Sequence, residues 1–296
     1  MLARRSSAAL VAVVALICLT AAVATVWAQA PDSGGAPSPD VEVRQLHSNA
    51  LRGTEHLAVH LPKGYRPAAK RRYPVIYFLH GLPGNATSYN GPRIRRLGDS
   101  VERSGRQAIV VGIQGARRGD TDPEWHDWGR GRDWETAAAV EAVRYVDRHY
   151  RTISNRSGRA LIGLSAGGYG ATLIGFHRPQ TYSVIESWSG YFHPTTPDGD
   201  GPLDLGDYRA NRLASAHAYV RRALGLYTRH PTFLGFYVGD RDARFQKENE
   251  QLDRELTRAR VPHSFAVYPG AHSGWFWDQH EDDWIVTALD HLAPSH

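Results

Sequence analysis

The chain predicts an α/β fold in which a mainly parallel sheet is covered by helices on both faces. Three observations carry that expectation. Strand-like and helix-like segments alternate from Pro74 to the C-terminus. Several of the strand-like segments are near-continuous apolar runs, as expected of strands buried on both faces. One of them, Ala160-Leu161-Ile162, runs through Gly163-Leu164-Ser165-Ala166-Gly167 into Ala171 to Phe176, which is able to form a helix.

Taken in order, Val41-Glu42-Val43 and Leu57 to Leu61 alternate as strands and suit an opening antiparallel pair. Pro74 to Leu79 and Ala108 to Ile113 are buried strands, with a polar helix between them over Pro92 to Ser104. A longer helix begins near Trp134-Glu135-Thr136 and sets Val140, Val143, Val146 or Asp147, and Tyr150 on one face. Pro179 stops the helix that follows Ser165, and Tyr182 to Trp188 is the next strand. Phe233 to Val238 and Phe265 to Tyr268 are the last two strands, separated by a charged amphipathic helix over Phe245 to Ala259. Trp275 to Leu292 is the final helix. Asp198 to His230 is too short for a second catalytic domain and is expected to make a small excursion beside the site.

Composition narrows the function. The 296 residues are 42% hydrophobic and 22% charged, which is globular composition. The net charge of +5 comes from scattered arginines without a block of like charge, which argues against a nucleic-acid partner. No His-Glu-x-x-His, cysteine pair or carboxylate-rich loop calls for a metal.

The N-terminus reads as an address rather than as fold. Arg4 and Arg5 precede an apolar run from Ala8 to Ala28, and Val26-Trp27-Ala28 has small residues where a signal peptidase reads. Residues 1–28 are therefore expected to be a signal peptide cleaved after Ala28 or, alternatively, a retained membrane anchor. Either makes the protein secreted or extracytoplasmic, with the membrane touched only through this segment if it is not cleaved. Residues 29–40 have linker composition, and 41–296 form the catalytic domain, with no internal repeat or second linker. The one cysteine, Cys18, lies inside the apolar run, so after cleavage the protein holds neither a disulfide nor a thiolate nucleophile.

Ser165 in Gly-x-Ser-x-Gly between a strand and a helix must sit on a sharp turn that lifts its hydroxyl above the sheet edge. A serine needs a base and a group to orient that base. In an open α/β sheet those groups belong in loops beyond the carboxyl ends of later strands. Gly239-Asp240-Arg241-Asp242 follows one such strand and Pro269-Gly270-Ala271-His272-Ser273 the next. The sequence thus predicts Ser165 as nucleophile, His272 as base and Asp242 as orienting acid, with Asp240 as the alternative acid or else a cap of the loop. His80-Gly81-Leu82-Pro83-Gly84 follows the first buried strand. The backbone N–H groups of Leu82 and Ala166 are the expected oxyanion donors, with His80 structural.

These residues, together with Trp134-Glu135-Thr136, Gly168, Ser189-Gly190, Ser273 and Trp277, resemble the esterase branch of the α/β-hydrolases. That branch includes esterase D, feruloyl esterases and secreted mycolyltransferases. The likeness runs from about Val41 to the C-terminus. It implies an α/β-hydrolase fold without a large lid domain, and serine-dependent acyl chemistry with no metal or organic cofactor. The mycolyltransferases typically carry Glu as the triad acid and a Ser-Met turn, whereas Asp242 and Ser165-Ala166-Gly167-Gly168 lean toward the esterases. They also place tryptophan two positions after the catalytic histidine, where this chain has Gly274 before Trp275.

The expected activity is therefore hydrolysis of a small-molecule or cell-envelope or polysaccharide ester through an acyl-enzyme. Transfer of the acyl group to a sugar hydroxyl is the alternative, and a catalytically silent surface-binding protein is the rival from another class. Between Gly115 and Trp134 lie Arg117, Arg118, Trp125, His126, Trp128 and Arg132. Trp125, Trp128 and, from the last helix, Trp277 are candidate substrate-cleft residues. For the first two, packing the loop down is an equal expectation.

Overall fold

The computed structural model describes residues 41–118, 124–196 and 201–296. The expected signal segment, its alternative as an anchor, and the linker all lie outside the described residues. Among those described, no helix is long and apolar enough to cross a membrane.

Eight strands form one sheet. β1 (Val41–Ser48) and β2 (Gly53–His60) make an antiparallel hairpin paired from Val41↔His60 to Ser48↔Gly53. β3 (Val75–Leu79), β4 (Ile109–Ile113), β5 (Arg159–Leu164), β6 (Val184–Trp188), β7 (Phe233–Gly239) and β8 (Ser264–Tyr268) follow. Their order across the sheet is β1-β2-β4-β3-β5-β6-β7-β8, and every pair after β2–β4 is parallel. The crossover from β4 to β5 past β3 puts the carboxyl end of β5 near the middle of the sheet, where loops from both halves converge.

Helices cover both faces. They are α1 (Pro92–Arg103), α2 (Trp134–Thr136), α3 (Val143–His149), α4 (Ala166–His177), α5 (Tyr208–Ala214), α6 (Val220–Arg229), α7 (Gln246–Arg258) and α8 (Gly274–Asp290). Alternate strand residues serve the two faces, as the period-2 pleat requires. Tyr77, Val111, Leu161 and Phe236 pack with Val146 of α3, Ile174 of α4, Ala223 of α6 and Leu252 of α7. Ile76, Phe78, Val110, Ile162 and Trp188 pack with Leu97 of α1 and Trp284 and Ile285 of α8.

Two details differ from the sequence pattern. Between α2 and α3 the chain makes a π-helical turn over Ala137–Ala142. That wider turn holds an extra residue, so Ala139 and Ala142 are buried and Val140 is only half-buried. The turn also presents Glu141, whose carboxylate accepts from Ser48 Oγ (2.5 Å) and the Asn49 and Ala50 N–H groups (3.1 and 3.3 Å) at the hairpin turn. The excursion after β6 is also more structured than expected, for it holds both α5 and α6. It docks on α4 through Tyr169, whose hydroxyl donates to the Ala214 carbonyl at 2.7 Å.

Candidate active site

β5 delivers Ser165 into α4 through a turn that no ordinary backbone would make. Ser165 has φ 52° and ψ −120°, a positive φ that favours glycine and costs a non-glycine residue on the order of 1–3 kcal/mol. Two glycines make the turn possible. A Cβ on Gly163 would collide with the Gly167 backbone, and a Cβ on Gly167 would collide with the Leu79 carbonyl. The Ser165 N–H donates to the Trp188 carbonyl at 2.8 Å, so the strained residue is still tied to the sheet.

The other two groups arrive from the β7 and β8 ends. His272 Nε2 lies 3.0 Å from Ser165 Oγ, and His272 Nδ1 lies 2.7 Å from Asp242 Oδ2. The carboxylate oxygen can only accept, so Nδ1 carries the proton and Nε2 is left as the acceptor facing Ser165. Asp242 Oδ1 accepts from the N–H groups of Arg244 and Phe245, both at 3.2 Å, and the side chain is fully buried. Asp240 behaves differently. It is exposed, and its Oδ1 accepts from the Gly270 N–H at 2.9 Å, linking the two loops without reaching His272.

The Gly81-Leu82 turn stands against Ser165, since a Cβ on Gly81 would come within 3.1 Å of Ser165 Cβ. Leu82 packs on the cluster of Ala166, Tyr169, Tyr191 and Phe245. Ala166 is the first residue of α4, where N–H groups precede the first intrahelical acceptor. His80 holds the turn: Gly115 N–H donates to its Nε2 at 3.1 Å, which leaves Nδ1 to donate to the Gly81 carbonyl at 2.9 Å.

The aromatic candidates separate. Trp125 is 2% exposed, with its Nε1 donating to the His80 carbonyl at 3.1 Å and its ring 5.1 Å from His80. It packs the loop down behind the Gly81-Leu82 turn and offers no face to a cleft. Trp128 packs with Ala50, Leu51 and Trp134 beside the hairpin turn. Trp277 is brought to the site, 5.1 Å from the His272 ring. Of four further neighbours, Phe245, Glu124 and Tyr191 had no sequence signal, and Ser189 had only the family resemblance. Ser189 at φ 49° accepts from Trp277 Nε1 (3.0 Å), and Phe245 lies 5.1 Å from His272. Buried Glu124 accepts from the Tyr191 hydroxyl at 2.6 Å, and Tyr191 stacks on Tyr169. Only a fold brings such residues together, since none has a fixed spacing from Ser165.

The sequence model of the esterase family, described as "Putative esterase", matches residues 48–284. The chain belongs to that family. An esterase of Mycobacterium tuberculosis is 28% identical over 127 residues, 43% of this chain and 27% of that protein. An endo-1,4-beta-xylanase/feruloyl esterase of Xylanibacter ruminicola is 31% identical over 142 residues, 45% of this chain and 19% of that protein. The match thus spans under a third of the length of either relative. Among solved structures, a ferulic acid esterase superposes with a TM-score of 0.70 at 24% identity, covering 85% of this chain and 97% of that one. A ferulic acid esterase from Anaeromyces mucronatus, solved with ferulic acid, gives 0.65 at 17% identity, covering 88% and 94%. An S-formylglutathione hydrolase from Staphylococcus aureus gives 0.64 at 18% identity, covering 85% and 100%. The shared architecture is that of the α/β-hydrolases.

Proposed function

We propose that this esterase-family protein is an exported serine hydrolase that cleaves a carboxylic ester through an acyl-enzyme. The observation that carries the reading is the chain of contacts from Asp242 Oδ2 to His272 (2.7 Å) and from His272 to Ser165 Oγ (3.0 Å). Ser165 Oγ attacks the ester carbonyl carbon while its proton passes to His272 Nε2. The tetrahedral oxyanion is held by the N–H groups of Leu82 and Ala166. The C–O bond to the alcohol breaks, and the alcohol leaves with the proton from Nε2. Water then attacks the acyl-serine, giving one proton to Nε2, which returns it to Ser165 as the acid departs. Asp242 keeps Nδ1 protonated and stabilises the imidazolium throughout.

The relatives named feruloyl or ferulic acid esterases support an ester whose acid is small or aromatic. The test is turnover of p-nitrophenyl acetate and of methyl ferulate by the purified protein beside Ser165→Ala. Hydrolysis by the wild type that disappears in folded Ser165→Ala is expected. Folded wild type that hydrolyses neither, or Ser165→Ala that hydrolyses either as fast, would contradict the reading.

A further inference from the structure

Trp277 looks from its place in the sequence like a wall of the substrate cleft, but its surroundings give it other work. It is 4% exposed, so its indole has almost no surface to lend to a substrate. Its ring meets the His272 imidazole at 86°, with centroids 5.1 Å apart. Phe245 meets the same imidazole at 70° and 5.1 Å. With Asp242 and Ser165 holding its two nitrogens, His272 is bounded by two carboxylate- or hydroxyl-bearing side chains and two aromatic rings.

The indole is itself fixed from three directions. Its Nε1–H donates to Ser189 Oγ at 3.0 Å. Ser189 is held directly after β6 at φ 49°, with its own N–H donating to the Tyr237 carbonyl at 2.7 Å. The Arg93 guanidinium lies 6.0 Å from the indole centroid and is anchored by Glu281 (2.5 Å) and Asp278 (2.8 Å) on the same helix as Trp277. Sheet, α1 and α8 therefore converge on one ring, and that ring abuts the imidazole.

We infer that Trp277, held by Ser189, is a positioning residue that keeps the His272 imidazole in the one orientation joining Asp242 to Ser165. The inference rests on the triad reading above. The demand for such a brace is chemical. When Nε2 takes the serine proton, the His272–Ser165 hydrogen bond that oriented the ring is lost as the serine oxygen becomes part of the ester. The ring must nonetheless stay where Nε2–H can reach the leaving oxygen. Packing against a fixed indole restrains rotation about Cβ–Cγ during that interval, when the Asp242 bond alone would let the ring swing.

Trp277→Leu, Trp277→Phe and Ser189→Ala test this, with thermal melting to identify the folded variants. Trp277→Leu is expected to lower kcat about tenfold while KM changes less than about twofold for p-nitrophenyl acetate, butyrate and octanoate alike. Trp277→Phe keeps a ring against the imidazole and should recover most of that loss, with Ser189→Ala in between. A second readout needs no turnover. The downfield proton resonance of the Nδ1–H···Oδ2 bond, identified by its absence in His272→Gln, should be sharp in wild type and Trp277→Phe and broadened or lost in Trp277→Leu.

A KM that climbs with acyl length at constant kcat would make Trp277 a cleft wall and overturn the inference. So would a lowered melting temperature with kcat and the resonance unchanged, which is packing alone. If the resonance responds as expected but the wild type hydrolyses no ester, the triad reading fails while the positioning role stands.

Discussion

Ser165 and His272 lie 3.0 Å apart, yet the regions that hold them are built in opposite ways. Ser165 follows β5, a strand wholly buried in the middle of the sheet, and enters α4, which is buried along almost its whole length. Its restraints are backbone: a ladder bond to Trp188, a positive φ, and two glycines with no room for a methyl group. His272 follows β8, an edge strand whose residues are half-buried or exposed. Its restraints are side chains that arrive from the β7 loop and α8, namely Asp242, Phe245 and Trp277. An edge strand has no second neighbour to fix the loop that leaves it, so the imidazole is positioned by what surrounds it. The lesson is that one site can be rigid on one side through covalent geometry and on the other through packing.

Substitutions can break either side. Ser165→Ala removes the proposed nucleophile and should lower kcat by on the order of 10⁵- to 10⁶-fold, read with p-nitrophenyl acetate. Asp242→Asn reverses the hydrogen-bond polarity at Nδ1 and favours the wrong tautomer. It should cost about 10⁴-fold in kcat with little change in folding. Gly167→Ala attacks the backbone side, driving a methyl group into the Leu79 carbonyl. It should destabilise the protein by about 3 kcal/mol or more in chemical denaturation, or leave it unfolded. Asp240→Asn sharpens the contrast with Asp242. Because Asp240 only accepts from Gly270 N–H, which an amide oxygen can also do, kcat should change less than about twofold. Equal losses at Asp240 and Asp242 would mean that the base is oriented through the loop and not through a direct bond.

The sheet beneath the two regions supplies a pH-dependent test of stability. Burial pushes Glu186 up to about 8, although Trp188 Nε1 and the Tyr237 hydroxyl donate to it. Burial, aided by the nearby Glu141 carboxylate, likewise pushes Glu55 up to about 8. Both folded values stand above the ordinary value of 4.5, so the folded state holds protons that the unfolded chain has released. Their contribution is complete below about pH 4.5 and is lost as pH rises through about 8. Glu186→Gln keeps an acceptor for Trp188 and cannot ionise. Its melting temperature should fall less between pH 5 and pH 8 than that of the wild type. Parallel curves would mean that Glu186 is already ionised in the folded protein.

The same division explains what could be read in advance. The strands, the main helices and the Ser–Asp–His order were legible because apolar runs, glycine spacing and the ends of strands are local signals. The preference for Asp242 over Asp240 followed from distance to the strand end, and the observed contacts separate the two. The loop from Gly115 to Trp134 was not legible. Trp125 and Trp128 are aromatic wherever they point, and only the contacts with His80 and with Ala50 and Leu51 turn them into packing residues. The π turn was hidden for a similar reason. It presents the Glu141 carboxylate to the hairpin turn, a contact that spans more than ninety residues of chain. Phe245 and Glu124 act through partners far away in sequence, so no spacing announces them, and Ser189 is marked only by the family resemblance.

The most direct measurement is intact-mass analysis of folded protein treated with a fluorophosphonate, run beside Ser165→Ala and His272→Gln. The account predicts one adduct on the wild type, none on Ser165→Ala, and a rate of labelling sharply reduced in His272→Gln. A folded wild type that takes no label, or a Ser165→Ala protein that labels as fast as the wild type, would contradict it.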